Sequence, residues 1–329
     1  MRSHNRRLLL GMLGTAVAAP RLLFAQAPKV MTVAVLFVGD SDDDEPAARP
    51  FFDEMTRLGW QEGKNVTYDR HSGKGTRQYL ESLVSTAVGR EPSLILATTA
   101  SLAAAALKET KTVPVVFMSM SDPVAGKLVA SLAKPGGNAT GTFQAPVDAT
   151  AKRFKFARQV LPPNVKRMGA VFDRNAVDYQ SRMAAHKRVA ETAGFELTPT
   201  EFTNFEAIAK ILAQYKRDGI VAVEVTPSFA LTGRRREAVS LAERNGIALI
   251  AHRAEWADAG AVLTYGVDVG ESYRRAAGIA SRVLKGQKPA EIAVERPNRF
   301  ELVVNQRAAA ALGLTVPKTL QQKANRVIT

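Results

Sequence analysis

The sequence contains no cysteine, and this absence excludes several kinds of site before any motif is considered. Structural disulfides, thiolate zinc sites and a cysteine nucleophile all require a thiol. Histidine is scarce as well: His71, His186 and His252 are the histidines that follow residue 27, and they show no H-E-x-x-H or other metal-ligand spacing. His186 falls in the middle of a predicted helix, where we expect it at the surface. The sequence therefore predicts no metal site.

Phosphate-binding and nucleophile motifs are also missing. No G-x-G-x-x-G follows a predicted strand, and no G-x-S-x-G is present. The stretch "GWQEGKN" (59–65) has only three residues between its glycines and no Ser or Thr after its lysine, so it fails as a phosphate loop. Because no nucleophile, base and oxyanion hole can be assembled, we expect neither a cofactor nor enzymatic activity.

One acidic run stands out, "DSDDDEP" at 40–46. Its beginning is similar to a calcium loop, but Glu45 occupies the sixth position, where such loops need glycine. Phe51 occupies the twelfth position, where they need glutamate. Two interpretations stay open, a solvated loop and the rim of a cleft that attracts cations.

Long apolar runs are absent after residue 27, since no later stretch reaches the roughly 18 uninterrupted apolar residues of a membrane-spanning helix. The first 27 residues combine an arginine-rich start, an apolar run at 8–19 and the small-x-small pattern Ala25-Gln26-Ala27. These features predict a secretory signal that is cleaved after Ala27. An uncleaved anchor is the alternative. Arg6-Arg7 and the three leucines after them resemble a twin-arginine signal without its usual phenylalanine and lysine, so both export routes stay open.

Positive charge is in excess, with a formal net charge of +14 that falls to +10 without the four arginines of the signal. Lysine and arginine are spread along the chain, and the densest cluster, Arg234-Arg235-Arg236, is predicted on a helix surface. No basic stripe is interleaved with aromatic residues, so a solvated surface is favoured over nucleic-acid binding. Without a cysteine to carry a lipid, we expect a periplasmic protein with no stable membrane anchor.

What the chain does contain is a regular alternation of strands and helices. Strands are predicted at 32–38, 65–70, 94–98, 113–117, 139–143, 167–172, 196–201, 220–225 and 247–250. Amphipathic helices are predicted between them, for example at 46–58, 77–88 and 176–193. This alternation is typical of parallel sheets covered by helices on both faces. Gly59 and Gly194 are predicted to end helices in a left-handed conformation.

The two halves of this series resemble each other. "LGW" before the strand at 65–70 parallels "AGF" before the strand at 196–201, and "LILATTA" parallels "VAVEVTPS". Two similar α/β lobes, the second beginning near Asp148, explain this pattern, with chance recurrence as the alternative. Polar residues follow most of the strands. Ligands of parallel sheets bind at those carboxyl ends, although capping of the next helix explains each such residue equally well.

Three segments carry a family resemblance: "LGWQEGKNVTYDR" (58–70), "VPVVFMSMSDPVAGKLVASLAKPGGNATG" (113–141) and the stretch 257–314 that begins "ADAGAVLTYGVD". They resemble bacterial ABC-transporter substrate-binding proteins of the tryptophan/tyrosine-binding-like group. The resemblance implies an α/β protein of the periplasmic binding protein type I fold, with two Rossmann-like lobes joined by crossover hinge strands. It implies an N-terminal lobe of residues 28–145 plus about 264–292, and a C-terminal lobe of 146–263 plus about 293–329.

The same resemblance implies a function without chemistry. A small organic solute, such as an aromatic amino acid or a related carboxylate, would bind in the cleft between the lobes and pass to the membrane permease of an ABC importer. We expect a monomer, with an aromatic side chain such as Tyr265 or Trp256 over the ligand. The positions expected to bind ligand are Asp40, Thr98, Thr99, Ser119, Ser121, Asp122, Asp173, Asn175, Thr226 and Tyr265. A ligand-sensing domain of a regulator and an exported α/β enzyme are the alternatives.

Two loops depart from the family pattern, and this leaves the ligand open. Asp173-Arg174-Asn175 stands where the family usually has Asn-Pro, and His252-Arg253 stands where an aromatic-Gly pair is more frequent. The stretch 119–141 is predicted to provide ligand contacts at 119–122 and a helix at 123–133. Pro135-Gly136-Gly137 is predicted as a turn, and Gly141 as a point of close backbone approach near the hinge.

Overall fold

The first half of the chain forms a sheet of five parallel strands in the order β2-β1-β3-β4-β5. The structure, a computed structural model, describes residues 30–38, 41–73, 77–119, 122–143, 146–176, 178–296 and 298–329. The elements of this first lobe are β1 (Met31–Phe37), α1 (Ser41–Arg57), β2 (Val66–Ser72), α2 (Arg77–Gly89), β3 (Leu94–Ala97), α3 (Ala100–Glu109), β4 (Val115–Ser119) and β5 (Ala139–Phe143). The predicted export signal, Asp40 and Ser121 lie outside the described residues.

Strand β1 shows why this sheet needs helices on both faces. Val33, Val35 and Phe37 pack in one buried cluster with α1, whereas Ala34 and Leu36 pack in another with α2 and α3. Successive side chains of a strand point to opposite faces, so a strand that is apolar throughout has to be covered twice. Strand β1 therefore lies in the core of the first lobe.

The second half builds a seven-stranded sheet in the order β12-β11-β10-β9-β8-β6-β7. Strands β6 to β10 are parallel to one another, whereas β11 and β12 are parallel to each other and antiparallel to the rest. The elements are α4 (Pro146–Val160), β6 (Arg167–Asp173), α5 (Tyr179–Thr192), β7 (Glu196–Phe202), α6 (Ala207–Arg217), β8 (Ala222–Val225), α7 (Phe229–Gly233), α8 (Arg235–Arg244), β9 (Ala248–Ala251), α9 (Ala254–Ala259), β10 (Leu263–Val267), α10 (Val269–Leu284), β11 (Phe300–Asn305), α11 (Gln306–Ala311), α12 (Lys318–Gln321) and β12 (Arg326–Ile328).

Helix α10 belongs to the first lobe although it follows a strand of the second. Its residues Tyr273, Ala276 and Ala280 pack in the same buried cluster as α1 and β1. The chain stays in the first lobe as far as Glu295, whose backbone pairs with that of Thr142 in β5. The chain therefore crosses between the lobes after β5, after β10 and before β11. The lobe bounds given above, 28–145 plus about 264–292 and 146–263 plus about 293–329, stay predictions.

The two sheets have the same internal order. Reading from β7 through β6, β8 and β9 to β10 gives the order that β2, β1, β3, β4 and β5 give in the first lobe. In each lobe the last of these five strands is the one from which the chain leaves for the other lobe. Strands β11 and β12 are additions to the second sheet.

All nine predicted strands are confirmed, each with its ends within two residues of the predicted ones. Strands β10, β11 and β12 were not predicted. The predicted left-handed helix ends are also confirmed, because Gly59 has φ +94° and Gly194 has φ +80°. The amide of Trp60 donates to Met55 O and that of Phe195 to Ala190 O, both at 2.9 Å, so the two helices end in the same motif.

The predicted helix at 123–133 is wrong, because these residues form turns. The side chain of Asp122 accepts hydrogen bonds from the amides of Val124 (2.8 Å) and Ala125 (3.2 Å). Lys127 then adopts φ +55°, a left-handed conformation that interrupts any helix. An aspartate bonded to the backbone just after it favours a turn.

The close backbone approach at Gly141 is confirmed. A Cβ atom on Gly141 would lie 2.0 Å from Phe117 O, and one on Gly266 would lie 1.8 Å from His252 O. The two glycines lie in β5 and β10, the corresponding strands of the two lobes. Each allows a crossing strand to lie against its neighbour where a side chain would not fit.

No helix in the described part of the chain has the length and apolarity needed to cross a membrane.

Candidate ligand-binding site

A cavity lies between the two lobes at the carboxyl ends of their strands. It offers about 60 Å³ to the centres of water-sized molecules, where roughly 10–15 Å³ is enough for one water. The first lobe contributes Thr98, Thr99, Ala100, Ser101 and Met118. The second lobe contributes residues at its strand ends and helix starts, which include Asp173, Arg182, Pro227, Ser228, Phe229, His252 and Arg253. The position is the one that sheet topology favours for a ligand.

On the first-lobe side, Thr98 and Thr99 are held by the backbone. The hydroxyl of Thr98 donates to Leu36 O at 2.8 Å, which fixes the end of β3 against β1. Thr99 caps α3, and its hydroxyl accepts from the amide of Leu102 at 3.3 Å. The first amides of a helix have no partner within it, so Ala100 and Ser101 bring unpaired N–H groups to the cavity wall. The positive end of the helix dipole adds to their attraction for an anion.

On the second-lobe side, Asp173 lies at the end of β6 and lines the cavity. It is 6% exposed. One oxygen accepts from the Ser228 hydroxyl at 2.8 Å, and the other accepts from the amide of Asn175 at 2.9 Å. A carboxylate has about four acceptor positions, so Asp173 can still accept from a ligand. The side chain of Asn175 is used elsewhere, because it donates to Thr203 O at 2.8 Å.

Several predicted residues do not line the described cavity. Thr226 is buried, and its hydroxyl donates to Val171 O at 2.7 Å. Asp122 is exposed and closes the turn described above. Tyr265 stacks on Phe300, with ring centroids 5.7 Å apart, in the core of the second lobe. Strand β4 ends at Ser119, and the orientation of that side chain is not described.

Trp256 is also part of the core rather than of the cavity wall, with 1% of its surface exposed. The aromatic residue that lines the cavity is Phe229, the first residue of α7. Its ring packs in the apolar cluster of the first lobe, although the residue belongs to the second. A Cβ atom on Gly73 would lie 2.9 Å from this ring. Phe229 therefore joins the two lobes across the cleft.

Three cationic or titratable residues of the wall were not among the predicted positions: Arg182, His252 and Arg253. Arg182 projects from α5 and donates to Pro227 O and to Asp178, both at 2.5 Å. Arg253 pairs with Glu255 at 2.5 Å. The three buried residues of α5 are Arg182, His186 and Ala190, which follow one another at intervals of four residues. This spacing places them on one face of the helix, and it is the sequence signal that could have indicated a buried Arg182.

His186 is buried, so its predicted surface position is wrong. Its Nδ1 lies 2.8 Å from Arg182 O, and its Nε2 lies 3.1 Å from Oε2 of Glu224. Arg153 approaches the other oxygen of Glu224 at 2.8 Å and donates to Tyr265 O at 3.0 Å. Arg153 and Glu224 thus form a buried ion pair, and His186 completes the cluster beside Glu224, one helical turn from Arg182 of the cavity wall. Arg235, from the basic cluster predicted on the surface, is buried as well at 9% exposure.

The pKa of Glu224 shows how strongly this cluster is coupled. Burial alone would raise the pKa of the carboxyl, but the charges of His186 and Arg153 and their hydrogen bonds outweigh it and lower the pKa to about 2. The pKa of His252 is lowered to about 3 by burial first, and then by the positive charges of Arg153 and Arg253. Glu224 is therefore ionised and His252 neutral at neutral pH.

Among the described residues, no group of three or more His, Asp or Glu side chains is arranged to hold a metal ion. The polar groups that meet in the cavity are hydroxyls, helix amides, one carboxylate, two guanidiniums and one imidazole. Such a set can hold a small polar solute by directed hydrogen bonds from both lobes.

The chain is similar to known substrate-binding proteins. A family model described as ABC transporter substrate binding protein matches residues 31–328. A tyrosine-binding protein of Clostridioides difficile (strain R20291) is 25% identical over 272 residues, which is 82% of this chain and 77% of that protein.

Two solved structures share the fold, which is that of type I periplasmic binding proteins. The crystal structure of an ABC domain in complex with L-Trp from Streptococcus pneumoniae has a TM-score of 0.82 at 21% identity, covering 91% of this chain and 100% of that chain. The ligand-free, open structure of a substrate-binding protein with adhesive properties from Clostridium difficile has a TM-score of 0.63 at 22% identity, with coverage of 91% and 100%. Because the family match spans nearly all of the chain after the first 30 residues, the protein belongs to the ABC transporter substrate-binding proteins, which bind small solutes outside the cytoplasm and work with a permease.

Proposed function

We propose that this protein captures an aromatic amino acid or a related small carboxylate in the cavity between its lobes. The observation that carries this proposal is that the N-terminal end of α3 on one wall faces acceptor and guanidinium groups on the other wall. A ligand that contacts both walls holds the lobes together. The family assignment favours this function over an exported enzyme and over a regulator's sensing domain.

The amides of Ala100 and Ser101, with the cap Thr99, are proposed to receive the carboxylate of the ligand. A helix N-terminus offers both N–H donors and a favourable dipole to an anion. Met118 and Phe229 provide apolar surface beside this end, and they suit the ring of an aromatic ligand. The names of the similar proteins support this class, since one is a tyrosine-binding protein and another was crystallised with L-Trp.

The ligand set proposed from the cavity includes Thr98, Thr99 and Asp173 from the sequence-based prediction. Asp40, Ser119 and Ser121 stay predictions at neighbouring strand ends. The polar and charged residues that the cavity adds are Ser101, Arg182, Ser228, Thr232, His252 and Arg253.

Closure is proposed to be the step that the permease reads. Phe229 contacts the first lobe at Gly73, so the conformation described here has the lobes joined. The similarity in shape is greater to the L-Trp complex than to the open, ligand-free structure, which supports a closed state for this arrangement. A ligand that binds the closed form better shifts the equilibrium towards it.

The proposed cellular setting follows from the sequence. The segment 1–27 acts as an export signal that is cleaved after Ala27, by the general or the twin-arginine route, and the mature protein works as a periplasmic monomer. Expression with and without residues 1–27, followed by fractionation and N-terminal sequencing, tests this. A chain that starts at Met1 in the periplasm would contradict cleavage.

A thermal-shift screen tests the ligand class. Protein freed of retained ligands by unfolding and refolding is mixed with the twenty amino acids and with aromatic carboxylates. At a ligand concentration of about 100 times Kd, stability should rise by about 2.7 kcal/mol, and the melting temperature by several degrees. Replacing Ser101 by Pro, which removes one amide of the α3 end, should weaken the shift, whereas Ser82→Ala on the exposed face of α2 should not. If none of these compounds stabilises the protein, the proposed ligand class is wrong.

A further inference from the structure

Nε2 of His252, on the cavity wall, has no hydrogen-bond partner within the described residues. The residue is 1% exposed, and its other ring nitrogen, Nδ1, lies 3.1 Å from Val225 O. A carbonyl oxygen can only accept a hydrogen bond, so Nδ1 carries the proton. Within the described residues nothing pairs with Nε2, and this atom is not one of the fully enclosed polar atoms, so it is reached from the cavity.

The surroundings of His252 keep the ring neutral. Burial disfavours an imidazolium, and Arg153 and Arg253 add positive charge nearby, which together lower its pKa to about 3. With Nδ1–H already donated to Val225, the neutral ring presents a lone pair at Nε2. At neutral pH, Nε2 of His252 therefore accepts hydrogen bonds and does not donate them.

Several groups of the wall around this acceptor can only donate. These are the guanidiniums of Arg182 and Arg253 and the helix amides of Ala100 and Ser101. The hydroxyl of Thr98 has given its proton to Leu36, so its oxygen can accept from a ligand but not donate. Asp173 also has acceptor capacity to spare, and it lies at the end of β6, two strands away from His252. A carboxylate alone satisfies the donors of this wall and leaves the lone pair of His252 unused.

We propose that His252 is a specificity-determining residue whose Nε2 accepts a hydrogen bond from an N–H or O–H group of the ligand. The inference rests on the proposed function and narrows it: the ligand is a carboxylate that also carries a hydrogen-bond donor, as an amino acid does. A ligand without the donor leaves this buried acceptor without its hydrogen bond, which is costly. The donor is either the ammonium group of an amino acid or the donor of its ring.

Four compounds separate these two sources. L-tryptophan carries both the ammonium and a ring N–H, L-phenylalanine only the ammonium, 3-indolepropionate only the ring N–H, and 3-phenylpropionate neither. L-phenylalanine and 3-phenylpropionate differ in the ammonium, whereas 3-indolepropionate and 3-phenylpropionate differ in the ring N–H. Calorimetry on the refolded wild-type chain should show that, in one of these two pairs, the compound with the donor binds more tightly by tenfold or more. That pair is the decisive pair, and it identifies which donor contacts His252.

Two variants test whether His252 causes the difference. His252→Asn keeps an amide N–H where Nδ1 stands, to bond Val225, but has no atom at the place of Nε2. His252→Gln extends an amide oxygen to the place of Nε2. We expect the Kd ratio of the decisive pair to fall about tenfold in H252N and to stay within about threefold of wild type in H252Q, since about 1.4 kcal/mol corresponds to tenfold and a lost buried hydrogen bond has this size.

A structural role alone predicts that both variants weaken all four compounds equally. A ratio that is unchanged in H252N, while the compounds still bind wild type, overturns the role of His252 and leaves the proposed function standing. Wild-type protein that binds none of the four overturns both. If H252N does not fold, ¹⁵N NMR of the wild-type imidazole decides: the Nε2 resonance should move on addition of the donor-bearing compound and not of its partner, and equal behaviour contradicts the proposal.

Discussion

Strands β3 and β8 stand at the same place in their sheets, and the first residues after each are used differently. Both strands are followed by a threonine whose hydroxyl donates to the carbonyl of the neighbouring strand, Thr98 to Leu36 O and Thr226 to Val171 O. In the first lobe the next residue, Thr99, caps a helix of ten residues. In the second lobe the cap comes one position later, at Ser228, and it serves a helix of five residues.

The difference extends to charge. Leu96 precedes Thr98 by two residues, and Glu224 precedes Thr226 by two residues, so a fully buried leucine and a fully buried glutamate occupy equivalent places. Every ionisable residue among the described lining residues, Asp173, Arg182, His252 and Arg253, comes from the second lobe. One scaffold thus gives a wall of hydroxyls and helix amides in the first lobe and a wall of charged groups in the second. We infer that the second lobe selects the ligand.

Glu224→Leu gives the second lobe the residue of the first and should have the largest effect. We expect the free energy of unfolding to fall by about 3–5 kcal/mol, because the buried guanidinium of Arg153 then lacks its counter-charge and His186 lacks its carboxylate neighbour. Urea denaturation followed by circular dichroism measures the change. The triple variant with Arg153→Met and His186→Leu added should recover most of the loss. A single variant as stable as wild type would show that the cluster is not coupled as described.

Phe229→Ala removes the ring that joins the lobes and should act on closure. We expect affinity for the best ligand of the thermal-shift screen to fall by about ten- to a hundredfold, since 1.4 kcal/mol of lost contact in the closed state is tenfold. Calorimetry measures this, and small-angle scattering should show less compaction on ligand addition. Phe202→Ala, within the core of the second lobe, serves as a control that lowers stability without changing compaction. The same compaction in both variants would contradict a role of Phe229 in closure.

Acid should lower the stability of the protein, because the buried side chain of His252 resists protonation in the folded state. The pKa of His252 is about 3 in the folded chain against an ordinary value of 6.5, so the unfolded chain binds the proton more readily. Its contribution is present above pH 6.5 and is lost as pH falls towards 3, with about 1 kcal/mol gone by pH 5.5. Glu224, with its pKa lowered to about 2 from 4.5, loses its contribution at lower pH, between 4.5 and 2. Urea titrations of wild type and H252N at pH 7 and 5.5 should therefore diverge, and parallel curves would contradict the prediction.

The sequence predicted the backbone better than the wall of the site. Strand positions follow from runs of β-branched residues and from glycines such as Gly59, which are local signals. Strand β10 was missed because Gly266 lies within it and weakens the local strand signal, and β11 was missed because it follows a helix of the other lobe. Arg182 and His186 were missed because a polar side chain in a helix is read as exposed unless its buried partner, here Asp178 or Glu224, is known.

The hydrogen-bond pattern also limits what strand-end position can predict about ligand contact. Thr98 and Thr226 follow equivalent strands and make the same hydrogen bond, yet only Thr98 is among the described lining residues of the cavity. The difference arises because α7 starts later than α3, which places Pro227 and Ser228 at the wall in front of Thr226. Strand ends identify the region of a site, and the start of the following helix decides which residue reaches the ligand.

Thr98→Val and Thr226→Val turn this difference into the most delicate test. Each variant loses one hydrogen bond to a neighbouring carbonyl, so both should lower the free energy of unfolding by about 0.5–1.5 kcal/mol. Only T98V changes a group of the cavity wall, so affinity should fall several-fold in T98V and stay within about twofold in T226V, as half a kcal/mol or less would give. Calorimetry beside urea denaturation measures both quantities. Equal losses of affinity would mean that Thr226 also reaches the ligand, and equal affinities would mean that Thr98 serves only to fix β3 to β1.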